Sequence, residues 1–470
     1  MRSFHWTLLF ALIIAALVAF TVFDTKRTEK IETKKEQDLN VLRIEPDLVT
    51  KFEIIPRGGQ SLVVEKKGED WFLLSPIQEP ADNQEAKNFL ISIKAERTIE
   101  TVAEGSEANP KTYGLDAPPY EVRLTATDGR TQTFKIGSVK AYDGNIYARI
   151  DDENKIRLVS SSWDVILAKK LGDFRNKNLY RDPESKPSVV HRIEITQAGP
   201  ELPKKFVFQR EKEEWKMLEG PTDLPVSSSK VDGYLSLIKA LRAQDFHAED
   251  KSDLKKFHLS PPGVQVKLVA KGETFFTLEM SNPQERGDAY ATSTDIKPIV
   301  SIFKVAAEPI YRKADSFFDK KIPFAFDVKE AAKLHIQTAA LNGTFEKKDG
   351  AWVMTGKSLQ KEPDGAKIES LIERIGQLEA LRVFEAIGKA PPKFTSTITI
   401  SRADGTTLLS LSWGPERIES RNSDQKPEAK YIVTRTNKIE RVLGLSEKSL
   451  QTLDAANVFK EGSADVRSKD

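Results

Sequence analysis

The chain contains no cysteine. Disulfides, thiolate metal centres, iron–sulfur clusters and cysteine nucleophiles are therefore excluded. Nor is there an excess of charge of either sign, since 72 Lys and Arg face 70 Asp and Glu for a formal net charge of +2. That balance makes no long-range field to gather a polyanion, so no nucleic acid is expected as a partner. With 30% charged and 39% apolar residues, neither a polytopic membrane protein nor a wholly disordered chain fits. The fingerprints GxSxG, GxxxxGK[ST], GxGxxG and HExxH are all missing, which removes the familiar serine hydrolase, P-loop, dinucleotide and zinc-protease readings.

What remains of reactive chemistry is thin. The histidines are His5, His191, His247, His258 and His335, and none has a partner at a metal-binding spacing. The acid clusters Asp151-Asp152-Glu153-Asn154 and Glu211-Glu213-Glu214 fall where hairpin turns are expected. Neither carries the Gly and distal Glu of a calcium loop, so both read as solvated turns. Asn342-Gly343-Thr344 matches a glycosylation sequon, a three-residue pattern of little weight by itself. No catalytic, cofactor-binding or metal-binding residue is assigned, and no cofactor is expected.

At the N-terminus, residues 4–23 (FHWTLLFALIIAALVAFTVF) carry no fixed charge and as a helix would span about 30 Å, the thickness of a bilayer core. A transmembrane anchor over residues 1–23 is expected. The rival, a cleaved signal peptide, needs small residues one and three positions before the cut; Ala19 qualifies and Leu17 does not. Arg2 precedes the segment while Lys26, Arg27, Lys30, Lys34 and Lys35 follow it, a distribution that by itself favours a cytoplasmic body. Residues 24–45 have mixed charge and read as a solvated stalk.

The body is dominated by repetition. Trp71, Tyr113, Leu115, Pro118-Pro119, Gly129, Tyr147 and Phe174 return as Trp215, Phe257, Leu259, Pro261-Pro262, Gly272, Tyr290 and Phe317, at steps of 143 or 144. Seven landmarks in register to one residue mark an internal duplication. A third copy is legible from Trp352, the Asp364 cap, Pro391-Pro392, the Asp404-Gly405 turn and Phe459, although the Tyr113-Gly114-Leu115 element has no counterpart. A polar insertion, residues 417–430, parts the Trp413 and Tyr431 strands.

Within each copy, alternating strands precede a helix and two further hairpins. In the first, Asp82 and Glu85 suggest a capping box ahead of Ala86, Phe89, Leu90 and Ile93 on one helical face. Ser227 or Ser228 and Asp364 open the equivalent helices. The fold class is thus α+β: an N-terminal transmembrane helix followed by three tandem repeats, each a mostly antiparallel sheet with one main amphipathic helix. The repeats are expected over residues 46–182, 188–322 and 328–462. The recurring tryptophans Trp71, Trp215 and Trp352 sit in apolar strands, where core packing is the default over carbohydrate stacking.

With the Trp strand, the Pro80-Ala81-Asp82 cap, Tyr113-Gly114-Leu115-Asp116-Ala117-Pro118, Asp128-Gly129, Ile136-Gly137 and Tyr147-Ala148-Arg149 in place, the chain resembles the bacterial family known as domain of unknown function 4340. The resemblance implies a single-span protein of the inner membrane with a periplasmic, extracytoplasmic body, accessory to ABC-type transporters of the gliding-motility auxiliary kind. On that footing the expected function is a non-enzymatic binding or scaffold protein whose partners are the membrane, through residues 4–23, and transporter permease and ATPase components. The alternative is an envelope hydrolase acting on glycan or peptide through an unrecognised carboxylate pair. A glycan-binding adhesin would need exposed equivalents of Trp71.

Overall fold

In a computed structural model, the described residues are 20, 21, 23–25, 39–181 and 183–460, apart from 199–203, 223–224, 283–286, 313, 356–360, 385–392, 422–426, 452 and 454–456. The expected anchor, residues 4–23, and most of the stalk lie outside them. Among the described residues no helix is long and apolar enough to cross a membrane.

The chain divides into two compact units, Met1–Lys177 with one sheet and Asn178–Asp470 with two. The first sheet comprises β1 (Val49–Pro56), β2 (Leu62–Lys67), β3 (Asp70–Ser75), β4 (Glu79–Pro80), β5 (Thr98–Glu104), β6 (Tyr120–Ala126), β7 (Thr131–Lys140), β8 (Ile146–Ile150) and β9 (Lys155–Val159). Its order is β4-β3-β2-β1-β6-β7-β8-β9-β5. The second comprises β10 (Arg192–Gln197), β11 (Lys204–Glu211), β12 (Glu214–Glu219), β13 (Phe246–Ala248), β14 (Val264–Ala270), β15 (Glu273–Met280), β16 (Ala289–Ser293) and β17 (Ile299–Ile302), ordered β12-β11-β10-β14-β15-β16-β17-β13. The third comprises β18 (Lys333–Gln337), β19 (Asn342–Lys348), β20 (Ala351–Thr355), β21 (Arg382–Phe384), β22 (Ser396–Ser401), β23 (Thr407–Arg421), β24 (Pro427–Thr436) and β25 (Ile439–Leu445), ordered β20-β19-β18-β22-β23-β24-β25-β21. The same winding recurs three times, and the paired neighbours run antiparallel throughout.

One main helix packs on each sheet: α1 (Asn83–Ala95), α2 (Ser228–Lys239) and α3 (Gly365–Gly376). Ala86, Phe89, Leu90 and Ile93 of α1 are buried, as the spacing predicts. Phe89 lies 4.8 Å from Phe52 and 5.5 Å from Phe174, ring centre to ring centre. Burial of Phe89, Leu90 and Ile93 contributes roughly 1.5–3 kcal/mol each.

The helix starts differ from expectation in one respect. The Asp82 carboxylate accepts from the backbone N–H groups of Gln84 and Glu85, as a cap should. The reciprocal half of the capping box does not form, because the Asp82 N–H donates to Phe174 O and the Glu85 carboxylate pairs with Lys169. This tie repeats at Ser227 N to Phe317 O and at Asp364 N to Val458 O. Val458, rather than Phe459, therefore occupies the closing position in the third copy.

The strand after each main helix carries little signal in the sequence. β5, β13 and β21 each cross to the far edge and pair with the last strand of their sheet. β5 reads TIETVAE, too polar for the apolar alternation that marks a strand. The first unit closes at Lys177. Leu179 and Tyr180 belong to the second unit, with Leu179 N–H donating to Leu241 O and the Tyr180 ring 5.1 Å from that of Phe276. The second and third sheets share one continuous apolar cluster that includes Phe324 and Ala331 between them.

Candidate functional site

The segment around Tyr113 packs on the face of its sheet opposite α1. Tyr113, Leu115 and Ala108 cover Tyr147 and Ile156, and the Tyr113 and Tyr147 rings meet edge to face at 4.8 Å. In the second copy Phe257 and Leu259 cover Tyr290 in the same way, with His247 5.2 Å from the Tyr290 ring. Gly114 is left-handed at φ 67°, and a Cβ there would stand 2.3 Å from Ser138 Oγ. His258 adopts the same left-handed conformation at φ 56°. The motif that punctuates the sequence most heavily is thus a cover for the back of a sheet.

Most residues with a conceivable chemical role take up structural ones. Trp71, Trp215 and Trp352 are only 2%, 2% and 6% exposed, which rules out a stacking platform. His335 Nδ1 lies 2.9 Å from Thr344 Oγ1, and His5 lies outside the described residues. Glu211 pairs with Lys216 beside the β11–β12 turn. Asn342 starts β19, exposed, while Thr344 faces His335.

Equivalent rows across the outer faces of the three sheets differ in kind. One row runs Glu53–Arg123–Thr133 in the first copy, Glu194–Lys267–Thr277 in the second and His335–Thr399–Ser410 in the third. The next runs Ile55–Glu121–Lys135–Arg149, then Thr196–Gln265–Glu279–Thr292, then Gln337–Thr397–Ser412–Arg435. Acid–base pairs dominate the first sheet, where Arg123 bonds Glu121 at 2.7 Å. On the third sheet hydroxyls replace them, with Thr397 Oγ1 to Ser412 Oγ at 3.0 Å and Thr399 Oγ1 to Ser410 Oγ at 3.4 Å.

The turns flanking these rows differ as well. In the first copy Asp151 accepts from Thr133 N at 2.8 Å, Asp152 lies 3.5 Å from Lys135, and Arg149 donates to the carbonyls of Asp152 and Glu153. Glu153 binds Arg43 at 2.5 Å and Arg157 at 2.8 Å. Burial disfavours its charge, but the two guanidiniums outweigh that and hold its carboxyl below the usual value. In the third copy Asn437 accepts from Ser410 N at 2.8 Å, the place of Asp151, and Lys438 completes a shorter turn. Arg435, the counterpart of Arg149, is exposed, and no protein partner is found for its guanidinium among the described residues.

The result is a shallow groove of about 650 Å³ lined by Phe394, Ser410, Ser412, Arg435 and the turn from Thr436 to Ile439. No carboxylate is among the described residues that line it. Phe394 is set at its end by Thr395 N–H donating to Trp413 O at 3.0 Å. The close approach of Lys393 O to Gly414, where a Cβ would stand 2.1 Å away, fixes the same crossing. A smaller cavity of about 180 Å³ lies where the second and third sheets join, between Phe318, Pro323 and Leu381. The nearby Lys230 ammonium donates to Phe318 O at 2.7 Å, and burial pulls its pKa down.

Within the expected insertion, residues 417–421 and 427–430 are not a separate loop. They extend β23 and β24 into a two-stranded ribbon, in register through Ile418 opposite Tyr431 and Glu419 opposite Lys430.

No curated protein and no solved structure matches the chain. Three overlapping segments, residues 24–118, 89–247 and 215–399, match one family model, described as Domain of unknown function (DUF4340). Together they run through most of the repeated body, and the chain belongs to the DUF4340 family.

Proposed function

We propose that this chain is a membrane-anchored, non-enzymatic binding or scaffold protein of the bacterial cell envelope. Its body stands on the extracytoplasmic side of the inner membrane and serves an ABC-type transporter assembly. The observation that carries a binding role is the divergence of one face in an otherwise repeated frame. The first sheet presents internally matched charges, whereas the third presents hydroxyls that bond one another and a guanidinium with no protein partner among the described residues.

The ionisable groups support the same reading. Those displaced furthest are Tyr234 and Tyr311, both pushed up by burial, and their hydroxyls donate to the carbonyls of Ile310 and Ser281 as parts of the packing. A hydrolase would instead present paired carboxylates in a cleft, and none is among the described residues that line the groove. The anchor and the transporter partner rest on the N-terminal apolar run and on the family's setting.

Purification of the full chain from detergent-solubilised membranes should recover an ATPase and a permease. Recovery of neither, with the sheets folded, would remove the transporter link. Protease digestion of intact spheroplasts should degrade the body; complete protection would place it in the cytoplasm.

A further inference from the structure

We infer that the groove on the outer face of the third sheet binds an acidic saccharide, its carboxylate held by Arg435 and Lys438. This rests on the reading of that face as the recognition surface. The internal repeat supplies the argument. At the matching place in the first copy, Lys135 and Arg149 are answered from within the chain, by the Asp152 carboxylate and by the Asp152 and Glu153 carbonyls. In the third copy the backbone device survives, with Asn437 for Asp151, but the acids that follow are replaced by Lys438.

Two cations therefore border a groove with no carboxylate among its described lining residues. A guanidinium binds a carboxylate through two parallel hydrogen bonds, a geometry an ammonium does not offer. The remaining lining favours a sugar over a bare anion. Ser410 and Ser412 lie in adjacent rows of hydroxyls continued by Thr397 and Thr399, Asn437 adds an amide, and the half-buried Phe394 ends the groove with an aromatic surface. The volume lies within the range of small-molecule sites.

The test is calorimetric titration of the full chain with a short oligogalacturonate, its neutral methyl ester and inorganic phosphate. The acid form should bind, with added salt weakening it, and the ester should bind at least about tenfold more weakly. The double variant Arg435→Gln/Lys438→Gln should lose about tenfold or more in affinity at unchanged melting temperature, because both side chains are exposed. Arg149→Gln, at the equivalent place in the first copy, should bind as the unaltered chain does. Equal binding of acid and ester, unchanged binding by the double variant, or no binding of the acid overturns the inference. Phosphate binding as tightly as the acid form overturns the saccharide assignment. If these titrations fail while the transporter components still co-purify, only the ligand is wrong; if they succeed while nothing co-purifies, only the transporter link is.

Discussion

Arg175 is a charged side chain only 2% exposed, and its Nε lies 2.6 Å from Glu79 Oε1. In the other copies the same bridging position holds Phe318 and Phe459, so the frame itself does not require a charge there. Removing one partner of a buried pair costs more than the pair contributes, since it strands the other charge. Glu79→Ala should destabilise the first unit by about 3–5 kcal/mol in chemical denaturation. Adding Arg175→Phe, the residue used in the copies, should restore most of that loss. Glu153 is a partly exposed counterpart with a pH signature. Its pKa is lower in the folded state than its ordinary 4.5, so its contribution is complete above that value and is lost as pH falls through the folded-state value. Glu153→Gln should cost about 1 kcal/mol at neutral pH, allowing for solvent screening. In an acid series the gap between variant and unaltered chain should close below pH 4.5; a gap constant with pH would show that the charge plays no part.

The elements were legible where one periodicity acts alone. The apolar positions of α1 and the Asp82 and Asp364 caps were visible in the sequence and are present. The second helix follows the pattern with a different start: Ser227 makes no capping bond, and Ser228 Oγ instead accepts from Trp215 N. Polar edge strands such as β5 left no signal, because their partners rather than their side chains define them. The ribbon of β23 and β24 reads as an insertion for a related reason. Its pairing to β22 ends at Trp413 and its pairing to β25 begins at Ile432, so among the described residues 417–421 and 427–431 pair in the sheet only with each other. An isolated two-stranded ribbon adds little stability. Replacing residues 416–431 with a tight turn should therefore shift the unfolding of the second unit by less than about 1 kcal/mol. A loss of several kcal/mol would show that the ribbon packs on the body.

At the level of the molecule, threefold repetition was plain from spacing, and the sheet order confirms that the copies share one winding. That the second and third copies form one compact unit was not readable. Residues 320–328 lie between the expected repeats, yet Phe324 is fully buried and Ala380 N–H donates to Lys320 O at 2.8 Å. The candidate site was hidden for a similar reason. Thr397, Thr399, Ser410, Ser412 and Arg435 are scattered along three strands and become neighbours only through register. The insertion singled out in the third copy begins a few residues from that face.

The central claim is that recognition has been concentrated on the third of three equivalent faces. It is tested by placing a photo-crosslinking residue in turn at Lys135, Glu279 and Ser412, which occupy the same position in the three sheets. Irradiation of cells carrying each full-length variant should yield a discrete adduct from position 412 and none from positions 135 and 279. Equal adducts from all three positions, or an adduct from 135 or 279 without one from 412, would contradict the account.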